Sequence, residues 1–458
     1  MAIRGKGTRT PNELGTEKIG KLLMIYAIPA VISMLAASAY NIVDRAFLGQ
    51  GVGALAIAGL ALTFPVMNLS AAFGAMIGVG GSTLLSIKLG QKDYDTGGRV
   101  LGNIISLNII IGVVFAVLAI IFIDPMLKFF GASDQTLPYA REYMLIILYG
   151  NVITHLSHGE ANVLRVIGHP NKAMISVMLG VFVNIVFDYI FINVLKWGIA
   201  GAAYATVISQ TLAVIYLTYH LCNKNDRIHL RRGIYKMTTR IVKNIFAIGV
   251  SPFCMQLCAC LIVTLINRGL RDHGGDLAIG AYGIVNGITF MFVMVVLGIC
   301  QGMQPIAGYN YGAQQFDRVV SVLKSAILYA TVVMTLGFVV CEFFPHIPIV
   351  LFTNDAETTR LAIEGMKIIV LLDPLVGFQI VVGNFFQSIG MAKKSIFLSL
   401  TRQLLFLLPM LLILPHFFGT KGVWASITVA DGLSILVSSA MLWYFFKKGS
   451  FRNTDIEI

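Results

Sequence analysis

Four residues carry oxygen chemistry at membrane depth: Asp44, Asn184, Asp188 and Thr206. Asp44 closes the first long apolar segment, within Tyr40-Asn41-Ile42-Val43-Asp44-Arg45. A carboxylate at that depth costs a few kcal/mol on insertion scales, so it persists where it faces protein or water and has a partner. Asn184 and Asp188 lie four apart and share one helix face. Asp188 stands roughly 11 Å and Thr206 roughly 9 Å from the same side of the bilayer at 1.5 Å per residue. Asp44 lies in the outer part of its own span. Three helices thus bring oxygens to one level, the donor type a hard cation requires. Taken alone, Asp44 has a second reading, a solvated helix-end residue beside Arg45. Thr206 has one too, bonding only its own helix backbone.

Other polar residues at depth have duller explanations beside their functional ones. Asp373, followed by Pro374, lies mid-span, and a substrate-attracting or second protonatable carboxylate competes there with a structural one. Arg402 and Asp431 fall at nearby depths on consecutive spans and read as a structural ion pair. Glu160, near His158 and Arg165, reads as a gate or rim residue. The seventh and eighth spans offer only the amides Gln256, Asn286, Gln301 and Gln304, candidates for a substrate cavity. Pro29, fifteen residues before Asp44, removes one helical bond and bends its span. The six cysteines lack metal-ligand spacing and read as small buried hydrophobes. No nucleophile–base or metal pattern appears, and His155 with His158 is too little for one. An enzyme is disfavoured, and no cofactor is expected.

The elements that must position these residues are membrane spans. Of 458 residues, 57% are hydrophobic and 12% charged, against about 25% charged in a soluble domain. Apolar runs of about 20 residues recur, each long enough to cross a bilayer as a helix. The fold class is an all-α polytopic membrane protein with twelve spans. They fall near 20–46, 54–82, 98–122, 140–164, 172–195, 200–222, 242–267, 277–303, 319–343, 362–386, 394–417 and 422–446. Residues 1–18 lack a cleavable signal pattern, so the first helix is expected to be retained.

With the N-terminus inside, the inside segments hold 24 lysines and arginines and the outside segments 9. That is the positive-inside bias, and it places both termini in the cytoplasm of a cell (inner) membrane protein. The net charge of +12 therefore orients the chain on anionic headgroups, and no nucleic-acid partner is implied. No P-loop or soluble domain is present to run a nucleotide-driven pump.

The second half repeats the first at an offset of 222 residues. Residues 53–172 and 275–394 align without a gap at 24 identities in 120 positions, among them Gly53/Gly275, Gly90/Gly312, Asp95/Asp317, Glu142/Glu364 and Gly168/Gly390. Six spans per repeat make the repeats parallel, related by an axis along the membrane normal, an architecture that rocks to give alternating access. The division expected is an N-lobe at 1–222, a cytoplasmic linker at 223–241 able to act as a hinge, a C-lobe at 242–446 and a tail at 447–458.

Several strings now carry a family resemblance over essentially the whole chain. They are Ala27-Ile28-Pro29 with Tyr40-Asn41-Ile42-Val43-Asp44, Gln301-Gly302-Met303-Gln304-Pro305-Ile306-Ala307-Gly308-Tyr309-Asn310-Tyr311-Gly312-Ala313, Gly168-x-Pro170, and Trp197-Gly198-Ile199-Ala200-Gly201-Ala202-Ala203. The chain resembles the multidrug and toxic compound extrusion (MATE) transporters. The resemblance implies two six-helix lobes in a V, and efflux of lipophilic organic cations, drugs or dyes, in exchange for inward Na⁺ or H⁺. No protein partner is required. In one branch of the family an aspartate of helix 1, an Asn-x-x-x-Asp pair of helix 5 and a threonine of helix 6 hold the coupling ion. Asp44, Asn184, Asp188 and Thr206 match those types, so Na⁺ or a proton is expected there. The resemblance also gives Pro29 a second reading, a bend that changes with ion load. The chain departs from branches that place an acid in helix 7 or 8, which favours the N-lobe site. The rival is a flippase for lipid-linked saccharides of similar architecture, whose groove would need cations for a diphosphate. A channel would need a ring of ligands from symmetric subunits.

Overall fold

A computed structural model describes residues 11–353 and 355–447; nearly all of the 447–458 tail lies outside them. The described residues are helical, without strands. The helices are α1 (Ile19–Gly51), α2 (Ala54–Gly90), α3 (Tyr94–Ile121), α4 (Ile123–Phe129), α5 (Leu137–Tyr149), α6 (Asn151–Val166), α7 (Pro170–Asp188) and α8 (Gly198–Leu221). They continue with α9 (Thr239–Gly312), α10 (Phe316–Phe343), α11 (His346–Val350), α12 (Ala356–Ile369), α13 (Asp373–Ser388), α14 (Ala392–Leu400), α15 (Leu408–Phe418) and α16 (Thr420–Lys447). Ten stretches are long and apolar enough to cross a membrane. One of them, α9, holds two spans separated at Gly275, where φ is 69°. The α5–α6 pair, broken at Gly150 and richer in polar residues, forms the remaining span. Twelve spans result.

Exposure follows the bilayer. Along α3, Val113, Val114, Val117, Leu118 and Ile121 are all exposed, a run of apolar surface that water would not tolerate on a monomer. Lipid is the solvent that suits it. Between helices, lipid leaves little hydrophobic drive, so close packing at small residues takes over.

The repeat seen in the sequence recurs in the backbone. Gly53 (φ 111°) and Gly275 (φ 69°) open equivalent helices, and Gly168 (φ 105°) and Gly390 (φ 77°) end equivalent ones. The α5–α6 break at Gly150 recurs 222 residues later at Val370–Leu372, between α12 and α13. Close approaches recur as well. A Cβ on Gly80 would fall 2.2 Å from Ile245 O and 3.0 Å from Gly249 N, while one on Gly302 would fall 2.6 Å from Ala27 N. Adding 222 to Gly80 and Ala27 gives Gly302 and Gly249, so each crossing is the other's repeat image. Gly90 against Tyr309 O (2.0 Å) and Gly312 against Ile87 O (2.1 Å) form a crossing that maps onto itself.

By contact density the chain forms two compact units. Among the described residues, unit 1 takes 32–253 with 11–17 and 308–314; unit 2 takes 18–31, 254–307, 315–353 and 355–447. The boundary crosses α1 two residues after Pro29, and α1 is unbroken through that proline. Residues 223–238, where the sequence offers a hinge, lie along unit 1. Ile228 and Ile234 are buried, Gly97 and Gly102 make room for them on α3, and Asn103 receives the Thr238 N–H and donates to Lys236 O.

Candidate functional site

Unit 1 brings the four oxygen-bearing residues into one buried region. Asp188 is fully buried, and Asn184, Thr206 and Asp44 are 2%, 5% and 6% exposed. Asn184 Nδ2 donates to Thr206 Oγ1 at 3.4 Å. The carboxyl of Asp44 faces that of Asp188 closely enough for the two to interact. Both Asp188 oxygens and Asn184 Oδ1 lack a hydrogen-bond donor among the described residues. No ion pair to Asp188 occurs among those residues.

Local structure explains how these side chains arrive together. Asp188 is the last α-helical residue of α7, and a π-helical turn, Tyr189–Val194, begins directly after it. Such a turn inserts one extra residue into the ladder and is frequent at functional sites. It is braced on both sides. Phe191 stacks on Trp197 with centroids 4.8 Å apart and lies against Gly201 of α8. Ile192 packs against Gly51 at the end of α1, where a Cβ would fall 2.4 Å from Ile192 Cγ2. Leu48, one turn beyond Asp44, is fully buried in the same core with Leu60, Met144, Ile147 and Ala202. The ends of α1, α7 and α8 are thus fixed beside the carboxyl pair.

Two aromatic hydroxyls join the region that the sequence did not single out. Tyr143 of α5 is buried with its hydroxyl beside Thr206, and Tyr40 of α1 lies within electrostatic reach of both aspartates. Tyr143 had one signal. Its repeat counterpart is Gly365, inside the otherwise matching Glu-x-Met-x-Ile-Ile string.

Unit 2 holds the other acids. Arg402 Nε donates to Asp431 Oδ1 at 2.6 Å. Asp373 is buried (7% exposed), within electrostatic reach of Arg402 and Asp431. A π-helical turn, Thr401–Leu407, starts beside the arginine. Gln256 and Asn286 are exposed along α9, and Gln301 is half-buried further along the same helix.

With this geometry in hand, comparison with known proteins is informative. The sequence model of the MatE family matches residues 29–190 and 252–412. The multidrug export protein MepA of Staphylococcus haemolyticus is 27% identical over 413 residues, 90% of this chain and 91% of that one. MepA of Staphylococcus aureus is 25% identical over 423 residues, 92% and 93% of the two chains. A solved outward-facing multidrug resistance MATE family transporter of the MOP superfamily superposes with a TM-score of 0.91 at 25% identity, covering 98% of this chain and all of that one.

Proposed function

Because the chain belongs to the MatE family, a family of membrane transporters, we propose that it is a multidrug efflux transporter exporting lipophilic organic cations in exchange for inward Na⁺ or H⁺. The observation that carries the coupling is the Asp44–Asp188 cluster. Two neighbouring carboxyls in a poorly hydrated region cannot both stay ionised without a counter-charge. Either Na⁺ bridges them, with Asn184 and Thr206 supplying neutral oxygens, or a proton neutralises one and the pair titrates as a unit. Three of the oxygens involved lack a donor among the described residues, which suits a small cation. Export then requires that drug and ion favour opposite states of the protein.

The two repeats act in this scheme as lobes, 1–222 and 242–446, with 223–241 and both termini on the cytoplasmic side. Pro29 sits where α1 passes between the compact units, suited to a bend that follows ion load. The test is ethidium efflux from reconstituted vesicles under separately imposed Na⁺ and pH gradients. Efflux driven by either gradient is expected. Efflux that ignores both would remove the antiport reading and leave the family assignment standing.

A further inference from the structure

Far from the aspartate pair, another carboxyl of unit 1 is buried, with no basic partner among the described residues. Glu160 of α6 is 3% exposed. Its one hydrogen-bond partner among the described residues is the Thr218 hydroxyl of α8, which lies 3.0 Å from Oε1 and 2.9 Å from Oε2. The ionisable groups on the packed elements are Lys88 of α2, Tyr94, Asp95 and Arg99 of α3, Tyr139, Arg141, Glu142, Tyr143 and Tyr149 of α5, Lys172 and, at the far end, Asp188 of α7, and Tyr204, Tyr216, Tyr219 and His220 of α8. Its own helix adds His155, His158 and Arg165, and the neighbouring loops add His169 and Asp226. None of them pairs with Glu160. Arg165 is turned to Asn162, and His169 to Asp226 at 3.0 Å. A single hydroxyl does not offset the cost of burying a full negative charge, and a group so placed neutralises instead.

Its position separates it from the aspartates. Helices α6 and α8 run side by side in the same direction. Gly150 lies against Val207, Thr154 Oγ1 donates to Gln210 Oε1, and Glu160 meets Thr218. Thr206 and Thr218 are therefore about 18 Å apart along one helix at 1.5 Å per residue. At the Glu160 end stand the exposed Asn171 and the partly exposed Lys172 and Asp226, so water is near.

We propose that Glu160 is a second ion site of unit 1, specific for a proton, which it holds in the state seen here and exchanges with water at the Lys172 and Asp226 end. A proton from water adds to a carboxylate oxygen, forming the O–H bond, and returns to water on release. The consequence for transport rests on the antiport reading above; the protonation itself does not. An acid here makes export respond to pH on that side even when Na⁺ serves the aspartate cluster.

Infrared spectra of the full-length protein in liposomes test it, with the carbonyl band of protonated carboxyls followed through a pH titration. Glu160→Gln should remove one carboxyl's share of that band at neutral pH, and the Asp44→Asn/Asp188→Asn double variant should keep that share. If Glu160→Gln does not fold, Glu160→Met retains the volume and serves the same comparison. Unchanged band intensity in whichever variant folds means an ionised Glu160 and overturns the proposal. In parallel, efflux driven by Na⁺ alone should vary less with pH at the Lys172 side in Glu160→Gln than in the wild type, the aspartate cluster supplying what remains. A pH dependence as large as that of the wild type would also overturn it. Failure of the antiport reading shows separately, as wild-type efflux that ignores both the Na⁺ and the pH gradient.

Discussion

The two compact units bury acids in opposite ways. In unit 1, Asp44 and Asp188 face each other with amide and hydroxyl oxygens around them. In unit 2, Asp431 is paired with the guanidinium of Arg402, and Asp373 lies within electrostatic reach of that pair. The repeat offset sharpens the contrast. Asp44, Asn184 and Asp188 correspond to Ile266, Phe406 and Met410, while Asp373, Arg402 and Asp431 correspond to Asn151, Gly180 and Ser209. Only the threonine is common, and Thr428 is bonded to the backbone at Ile368 O, 2.7 Å away. A fixed guanidinium satisfies its carboxylate permanently. A cluster of acids, amides and hydroxyls leaves part of its charge demand to a mobile ion. One duplicated scaffold thus carries a structural ion pair in one half and, in our reading, a loadable site in the other.

The largest expected effect breaks the comparison at its loadable end. Asp188→Asn and Asp44→Asn should each reduce gradient-driven dye efflux to the level of empty vesicles, while equilibrium dye binding by the same preparations survives. Either variant transporting like the wild type would move the coupling site elsewhere, with Asp373 the leading alternative.

Next in size is the fixed end. Removing one partner of a buried ion pair strands the other and costs about 3–5 kcal/mol, whereas replacing both is often nearly neutral. Arg402→Met should therefore lower the melting temperature in detergent more than Arg402→Met/Asp431→Leu does. A double variant at least as damaged as the sum of the singles would show that the pair does not act as a unit.

The elements that set up this contrast were unevenly legible in the sequence. The spans and the repeat were plain because hydropathy and glycine spacing record them directly. Gly53 with Gly275, and Gly80 with Gly302, sit where backbone geometry or a crossing helix excludes a side chain. The helix of the second span runs beyond the apolar stretch, to Gly90, because Ser82, Thr83 and Ser86 are buried against protein. The π turn after Asp188 left no compositional mark, since Tyr189–Val194 is an ordinary apolar run. The break at Gly150 was hidden by averaging over the span, although Pro374 announces its counterpart. Tyr143 was one aromatic among many until its hydroxyl was placed on Thr206.

Two smaller effects sharpen the comparison. Asn184→Ala removes a neutral ligand and the hydrogen bond to Thr206 but no charge. A lost hydrogen bond is worth about 0.5–1.5 kcal/mol, so half-maximal efflux should need roughly tenfold more driving ion or less, with the maximal rate preserved. Complete loss of efflux would mean that the amide does more than contribute an oxygen.

The smallest effect expected is at Tyr143, where the two roles of a buried hydroxyl are separable. If Tyr143 only orients Thr206, Tyr143→Phe keeps the ring in its core with Met144 and Ile147 and removes one neutral hydrogen bond. The ion dependence of efflux should then weaken by no more than a few-fold, consistent with about 1 kcal/mol at most. Adding Thr206→Val to Tyr143→Phe should cost little beyond Thr206→Val alone, because the tyrosine acts through the threonine. If Tyr143 instead meets the ion itself, the two changes should multiply. A double-variant cycle on half-maximal Na⁺ or H⁺ concentration distinguishes the cases: strong non-additivity makes Tyr143 a positioning residue, and additivity makes it a ligand, enlarging the loadable site to a group for which the second repeat offers only Gly365.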